Sequence, residues 1–245
     1  MRRGPAAGLP LAALLVLLLA GGCAPRPGNA EIEAMGVRAA QARQPEALAR
    51  LRAWAGAGNA VAQRELALAL LRDPPRWSEG LAWLGKAARA ADSEAAYLLG
   101  EASRLGRYGL RPDAGAARPW LERAARSGHA DAALALARLW LNGEGVATAD
   151  DAEGLRWLQA ASRGGNAQAM FLLSQAYVQG RGTAPSPTLA RHWLEAAADQ
   201  HHPAAIQAYA LALQNGDLGL AVNASLADEL LAEAAAERHN RWNAR

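Results

Sequence analysis

The chain has 245 residues, a formal net charge of +3 and one cysteine, so no internal disulfide is available and the fold must rest on packing alone. Acidic and basic residues are interspersed, and Lys86 is the only lysine among many arginines; that pattern describes a solvated helical surface and excludes a nucleic-acid binder. Ala and Leu dominate while Val, Ile and Thr are scarce, which favours helix and disfavours strand.

The first expected element is a targeting segment. Met1-Arg2-Arg3 is basic, and an apolar run from Leu9 to Ala20 follows. As a helix this run is about 18 Å long, short of the ~30 Å hydrocarbon core of a bilayer but suited to a secretory signal. Leu19-Ala20-Gly21-Gly22-Cys23 then leads into Ala24-Pro25-Arg26-Pro27-Gly28-Asn29. This arrangement resembles a bacterial lipobox, with its leucine one residue further from the cysteine than usual. The resemblance implies a lipoprotein signal peptide over 1–22, acylation of Cys23 and a flexible tether over 23–30. Ala24 in place of Asp next to the cysteine implies, by the same resemblance, delivery to the outer membrane, and the expected location is its periplasmic face. Removal of residues 1–22 takes away Arg2 and Arg3 and no acid, so the formal charge falls from +3 to +1. No later run is long and apolar enough to span a bilayer.

From residue 31 onward the chain repeats. A leading helix is expected from about Glu31 to Ala42, and a half-copy ends at Gly58. Trp83, Trp120, Trp157 and Trp193 are then spaced by 37, 37 and 36 residues, with Leu230 after another 37. Each opens a similar phrase, as in Trp120-Leu121-Glu122-Arg123-Ala124-Ala125 and Trp193-Leu194-Glu195-Ala196-Ala197. Seven residues earlier stand Asp113, Asp150, Ser186 and Asn223, side chains that cap a helix N-terminus. Gly128 and Gly165 suit the left-handed turn after its C-terminus. These signals define a helix B of about fourteen residues in each copy. A helix A follows, best seen in Ala95-Ala96-Tyr97-Leu98-Leu99-Gly100 and Ala169-Met170-Phe171-Leu172-Leu173-Ser174, with small residues where two axes must approach. Gly143-Glu144-Gly145-Val146 and Gly180-Arg181-Gly182-Thr183 join A to B. The tryptophans are expected inside the core, and helix 223–239 is expected to be a polar terminal cap.

The pattern Ala-x-x-x-Leu-Gly/Ser-x-x-Tyr, Gly-x-Gly-Val, an Asp cap and Trp-Leu-x-x-Ala-Ala-x-x-Gly resembles the SEL-one-like repeat, a relative of the tetratricopeptide repeat, over residues 45 to 240. Departures are Gly106-Arg107-Tyr108-Gly109 in one loop, the short Asp73-Pro74-Pro75-Arg76 in another, and His201 and Tyr209 in place of Gly and Leu. The resemblance implies an all-α, right-handed superhelical solenoid of antiparallel helix pairs over 31–245. About five pairs are expected, plus the leading helix and the C-terminal cap. Neighbouring pairs share one core, because no single pair can bury its apolar face.

In this repeat family helix A lines the concave side. Counting about three, six and ten residues from the glycine before each helix A selects Glu94, Tyr97 and Glu101, then Asp131, Leu134 and Arg138, then Gln168, Phe171 and Gln175. This stripe mixes aromatic residues with both signs of charge, which suits a polypeptide better than a polyanion; Tyr97, Arg138 and Phe171 are the expected hot spots.

Catalytic patterns are missing. A Ser-x-x-Lys pair fails because Trp83 lies three residues before Lys86. The histidines at 129, 192, 201, 202 and 239 never form His-Glu-x-x-His. His201 and His202 are read as capping the turn between Asp199 and Pro203 rather than as metal ligands. The expectation is a non-enzymatic scaffold without cofactor or metal. It binds a protein or peptide in the envelope, as an assembly factor for an envelope or exopolysaccharide export complex. It touches the membrane through its lipid, and neither nucleic acid nor a small molecule is the expected ligand. The rival readings are a surface-exposed host-interaction lipoprotein and a cell-wall or β-lactam hydrolase.

Overall fold

A computed structural model describes residues 27–41, 44–145 and 148–243. Cys23, the signal segment and most of the tether lie outside the described residues. Within them the chain forms twelve α-helices, two short 3₁₀ turns and no strand. The helices are α1 (Asn29–Gln41), α2 (Pro45–Gly56), α3 (Ala60–Leu70), α4 (Trp77–Arg89), α5 (Ser93–Leu105), α6 (Ala114–Arg126), α7 (Ala130–Asn142), α8 (Asp151–Arg163), α9 (Ala167–Gln179), α10 (Pro187–Asp199), α11 (Pro203–Asn215) and α12 (Ala224–Asn243). The pairs α3–α4, α5–α6, α7–α8, α9–α10 and α11–α12 pack in succession as a solenoid. Odd-numbered helices are the A helices and even-numbered ones the B helices. The segment expected as a separate cap, 223–239, is the B helix of the last pair. Its Asn223 cap accepts from Leu226 N–H, as the caps of α6, α8 and α10 accept from the amide three residues on, so it continues the repeat.

Caps fix the helix starts. Asp113 accepts from Ala116 N–H, Asp150 from Ala152 and Glu153, and Ser186 from Leu189. Helix A has its own row of caps: Asn59, Asp92, His129, Asn166 and His202 each accept from the amide three residues on. The left-handed position before that cap is Gly58, Gly128 or Gly165 in three copies, and Ala91 or His201 in the other two. At the second glycine of the A-to-B loop, Gly182 has φ +72°, and a Cβ there would run into the backbone at Asp151. Tyr108 and Leu218 occupy the same place with φ 56° and 57°. Both put a side chain onto the preceding repeat instead: the Tyr108 ring meets Trp77 edge-on at 6.0 Å, and Leu218 packs on the core.

Inside each pair the two axes meet at small residues. Ala67 faces Gly80 and Ala137 faces Gly154; a Cβ on either glycine would stand 3.2 or 3.4 Å from the opposing carbonyl. Ser174 faces Ala190 and donates to its carbonyl at 2.7 Å while buried. Around these contacts lie fully buried leucines, Leu84, Leu121, Leu136, Leu139, Leu158 and Leu173. The tryptophans expected inside the core are only partly buried. The residue after each one, Leu84, Leu121, Leu158 or Leu194, takes the interior place. One residue along a helix turns the side chain by about 100°, so the indole sits at the rim, between neighbouring repeats. Trp83 packs against both the N-terminal and the central cluster, and Trp193 against both the central and the C-terminal one.

Gly154→Val would push against Leu141, whose Cδ2 lies 2.6 Å from the position of an added Cβ. Overpacking of this kind is expected to lower the unfolding free energy by about 2–3 kcal/mol in a urea titration.

Candidate protein-binding wall

The A helices stand side by side, and their caps tie one repeat to the next. His129 accepts from Ala132 N–H through Nδ1, so the neutral ring carries its hydrogen on Nε2, which lies 2.9 Å from Glu94 Oε2. The same imidazole stacks on Tyr97 with centroids 4.5 Å apart. One repeat later Asn166 Nδ2 donates to Asp131 at 2.7 Å. At the following junction His202 Nε2 lies 3.3 Å from Gln168 Oε1, and its ring stacks on Phe171 at 5.3 Å. Nearer the N-terminus, Arg64 donates to Asp92 at 3.0 Å, to Glu65 at 3.1 Å and to Glu33 of α1 at 2.9 Å. Burial pushes the Glu65 carboxyl up, with Arg64 opposing the shift.

The nine residues selected from the sequence therefore divide. Glu94, Tyr97, Asp131, Gln168 and Phe171 line the wall and spend a polar or aromatic contact on the repeat junction. Glu101 is held by both its oxygens on Arg104, each at 2.8 Å. Leu134, expected on the open wall, is instead buried at 8 % exposure. It sits five residues after its cap, the position of Tyr97 and Phe171, but its shorter aliphatic chain folds into the core. Arg138 and Gln175 are exposed. Neither makes a hydrogen bond or ion pair with the described residues.

Sequence reasoning missed Val178, Gln179, Leu211 and Leu218. With Phe171, Gln175, Leu194, Ala208 and Asp217 they line an open cleft of about 530 Å³ between α9 and α11. Val178 and Leu211 are each 53 % exposed. The reason for Val178 lies across the pair. Leu71, just after α3, and Leu141, near the end of α7, stand twelve residues after their caps as Val178 does, and tuck over Gly80 and Gly154. In α9 the facing residue is Ala190, whose Cβ fills that space, and Val178 stays on the wall. A combined signal was present in the sequence, an apolar residue at that A position opposite a non-glycine in B. A smaller apolar hollow of about 450 Å³ lies between α1 and α3, beside Val37, Leu68 and Tyr108. No cluster of three metal-ligating side chains occurs among the described residues, and no helix among them is long and apolar enough to cross a membrane.

The Sel1 repeat model matches residues 60–92, 93–129, 130–166, 167–202 and 203–239, each one A–B pair with its connections. The chain belongs to the Sel1 repeat family. Sel1 repeat proteins generally mediate protein–protein interactions, and their scaffolds are typically non-catalytic. Among solved structures the fold is similar to a Sel1 repeat protein from Oxalobacter formigenes, with 24 % identity, a TM-score of 0.72, and 86 % of this chain and 88 % of that one covered. It is also similar to a protective antigen of uropathogenic Escherichia coli strains that displays an SLR fold. That match has 25 % identity and a TM-score of 0.71, and covers 78 % of this chain and 41 % of the antigen. This Sel1 repeat chain thus spans less than half of the antigen's length. No curated protein matches it.

The His129 hydrogen bond holds the Glu94 carboxyl below the usual carboxylate range, against burial. Its folded pKa lies below its unfolded one, so its stabilisation is present above the unfolded value and is lost as pH falls through the folded value. Glu94→Gln should therefore lower the melting temperature at pH 7. Melting curves of the two proteins should converge as the pH drops beneath the ordinary carboxylate range.

Proposed function

We propose that this Sel1 repeat chain is a non-enzymatic envelope scaffold, anchored through acylated Cys23 at the periplasmic face of a bacterial outer membrane. It holds a polypeptide partner along its A-helix wall, in the specific form of an assembly factor for an envelope or export complex. The observation that carries the binding role is the apolar cleft between α9 and α11. Val178 and Leu211 leave more than half of their surface in water beside the Phe171 ring, on a scaffold whose other large apolar side chains are mostly folded inward. Contiguous exposed apolar surface with a polar border marks a site of association. The likeness to an antigen suits an envelope location, since an antigen is a protein an immune system meets.

Val178→Glu with Leu211→Glu places two carboxylates in the cleft at positions that do not support the core. The melting temperature should stay nearly unchanged, since exposed substitutions cost about 0.5 kcal/mol or less. Capture of partners from a detergent extract of the envelope by the full-length chain should be lost. Equal capture by wild type and the double variant would mean that the wall is not the binding surface. The anchor has its own test. Cys23→Ser should abolish incorporation of labelled palmitate and move the protein from the membrane pellet to the soluble fraction.

A further inference from the structure

The wall is not uniform in charge, and its sequence of groups says what kind of segment it fits. Nine residues after the cap, successive A helices present Glu101, Arg138, Gln175 and Leu211. Glu101 is neutralised by Arg104. Arg138 on α7 is exposed and has no acidic partner among the described residues. Gln175 and Gln179 follow on α9 with carboxamides that no described residue engages. Next come Val178, Phe171 and Leu211 around the cleft, and Asp217, from the short turn after α11 that packs on α10, on its border. Asp217 accepts from Asn215 Nδ2 at 3.2 Å and has no cationic partner among the described residues. The row therefore reads cation, amides, apolar hollow, anion. A second feature marks the same place. Leu218 lies in the left-handed region at φ 57°, unlike the glycines at that position in two other loops, and its side chain lines the cleft. The left-handed region is strained for a leucine, and such strain tends to collect where a surface is used.

We infer that the occupant of this wall is an extended polypeptide segment carrying a carboxylate, an uncharged apolar stretch and a basic group in that order across α7, α9 and α11. The carboxylate meets the Arg138 guanidinium, and an aliphatic or aromatic side chain enters the cleft beside Val178 and Leu211. The Gln175 and Gln179 amides, each both donor and acceptor, pair with the peptide groups between, and the basic side chain meets Asp217. A polyanion is repelled at Asp217 and a polycation at Arg138, so charge complementarity selects a segment with both signs. The α9 helix, about 10 Å across with its side chains, stands between Arg138 and the cleft. An extended chain advances about 3.3 Å per residue, so an acidic and a basic side chain only two residues apart are too close to reach past α9 from Arg138 to Asp217. This inference rests on the wall being the binding surface and adds the charge order and spacing of what binds.

The test uses full-length protein and fluorescently labelled synthetic decapeptides derived from a parent in which Glu and Lys flank a central Leu-Phe. Four kinds are compared: Glu-to-Lys and Lys-to-Glu order, a short spacing of two residues, and a form with Lys in place of Glu. Anisotropy should show one direction of the widely spaced peptide binding best. The short spacing and the Lys-for-Glu form should each be weaker by about two- to fivefold, the size of an exposed ion pair. Arg138→Glu should reverse the preference between the parent and the Lys-for-Glu peptide, and added salt should shrink the difference. Equal binding of all peptides, abolished by Val178→Glu with Leu211→Glu, overturns the charge order while leaving the wall as the binding surface. Equal binding unaffected by that double variant overturns both. No binding by any peptide overturns the extended-segment inference, and the envelope capture then decides the wall by itself.

Discussion

Everything in this fold depends on the close approach of two helices at one pair of small residues. In α3–α4 and α7–α8 the contact is alanine against glycine, and in α9–α10 serine against alanine with a buried hydrogen bond. The same positions hold Gly100 and Ala117 in α5–α6, and Ala210 and Ala227 in α11–α12, all buried. A side chain larger than these would separate the axes, and the leucines stacked around the contact would lose their partners. The repeat length follows from this contact, because each pair must present the same face to the next if one core is to run through all of them.

The second layer of cohesion is polar and lies between repeats. A helix cap ordinarily satisfies a local amide. Here the same residue also reaches back to the previous A helix, so one side chain both starts a helix and sets its distance from the last. Histidine is an uncommon cap, yet His129 and His202 suit this double use, since one ring nitrogen accepts locally while the other reaches across and the ring face meets Tyr97 or Phe171. The cost falls on the wall. Residues that pattern alone offers as binding groups are already engaged in holding the scaffold together, and the exposed apolar surface of the wall lies toward the C-terminal repeats.

Variation among the copies creates that surface. Where the B helix carries glycine, the facing leucine of A folds over it; where it carries Ala190, Val178 remains in water. Where the loop keeps glycine, backbone packs on backbone; where it carries Leu218, a side chain extends over the preceding repeat and forms the edge of a cleft. A perfect repeat would present a featureless wall. The departures from consensus give this one an apolar hollow with an anion at its border and an exposed cation on the α7 helix.

The sequence by itself determined the helical class, the period near 37, the B-helix caps Asp113, Asp150, Ser186 and Asn223, and the small residues at the crossings, because these depend on spacing along one chain. It reached the wall only in part. Arg138 and Gln175 are exposed, but Leu134 is inside, and the tryptophans yield the interior to the leucines beside them. Those outcomes depend on which side chain faces which across a pair or a junction. The cleft of Phe171, Val178, Leu211 and Leu218 is of the same kind. Its four residues come from two A helices and a loop, and only the stacking of repeats, which puts Ala190 under Val178 and Leu218 beside Leu211, brings them together.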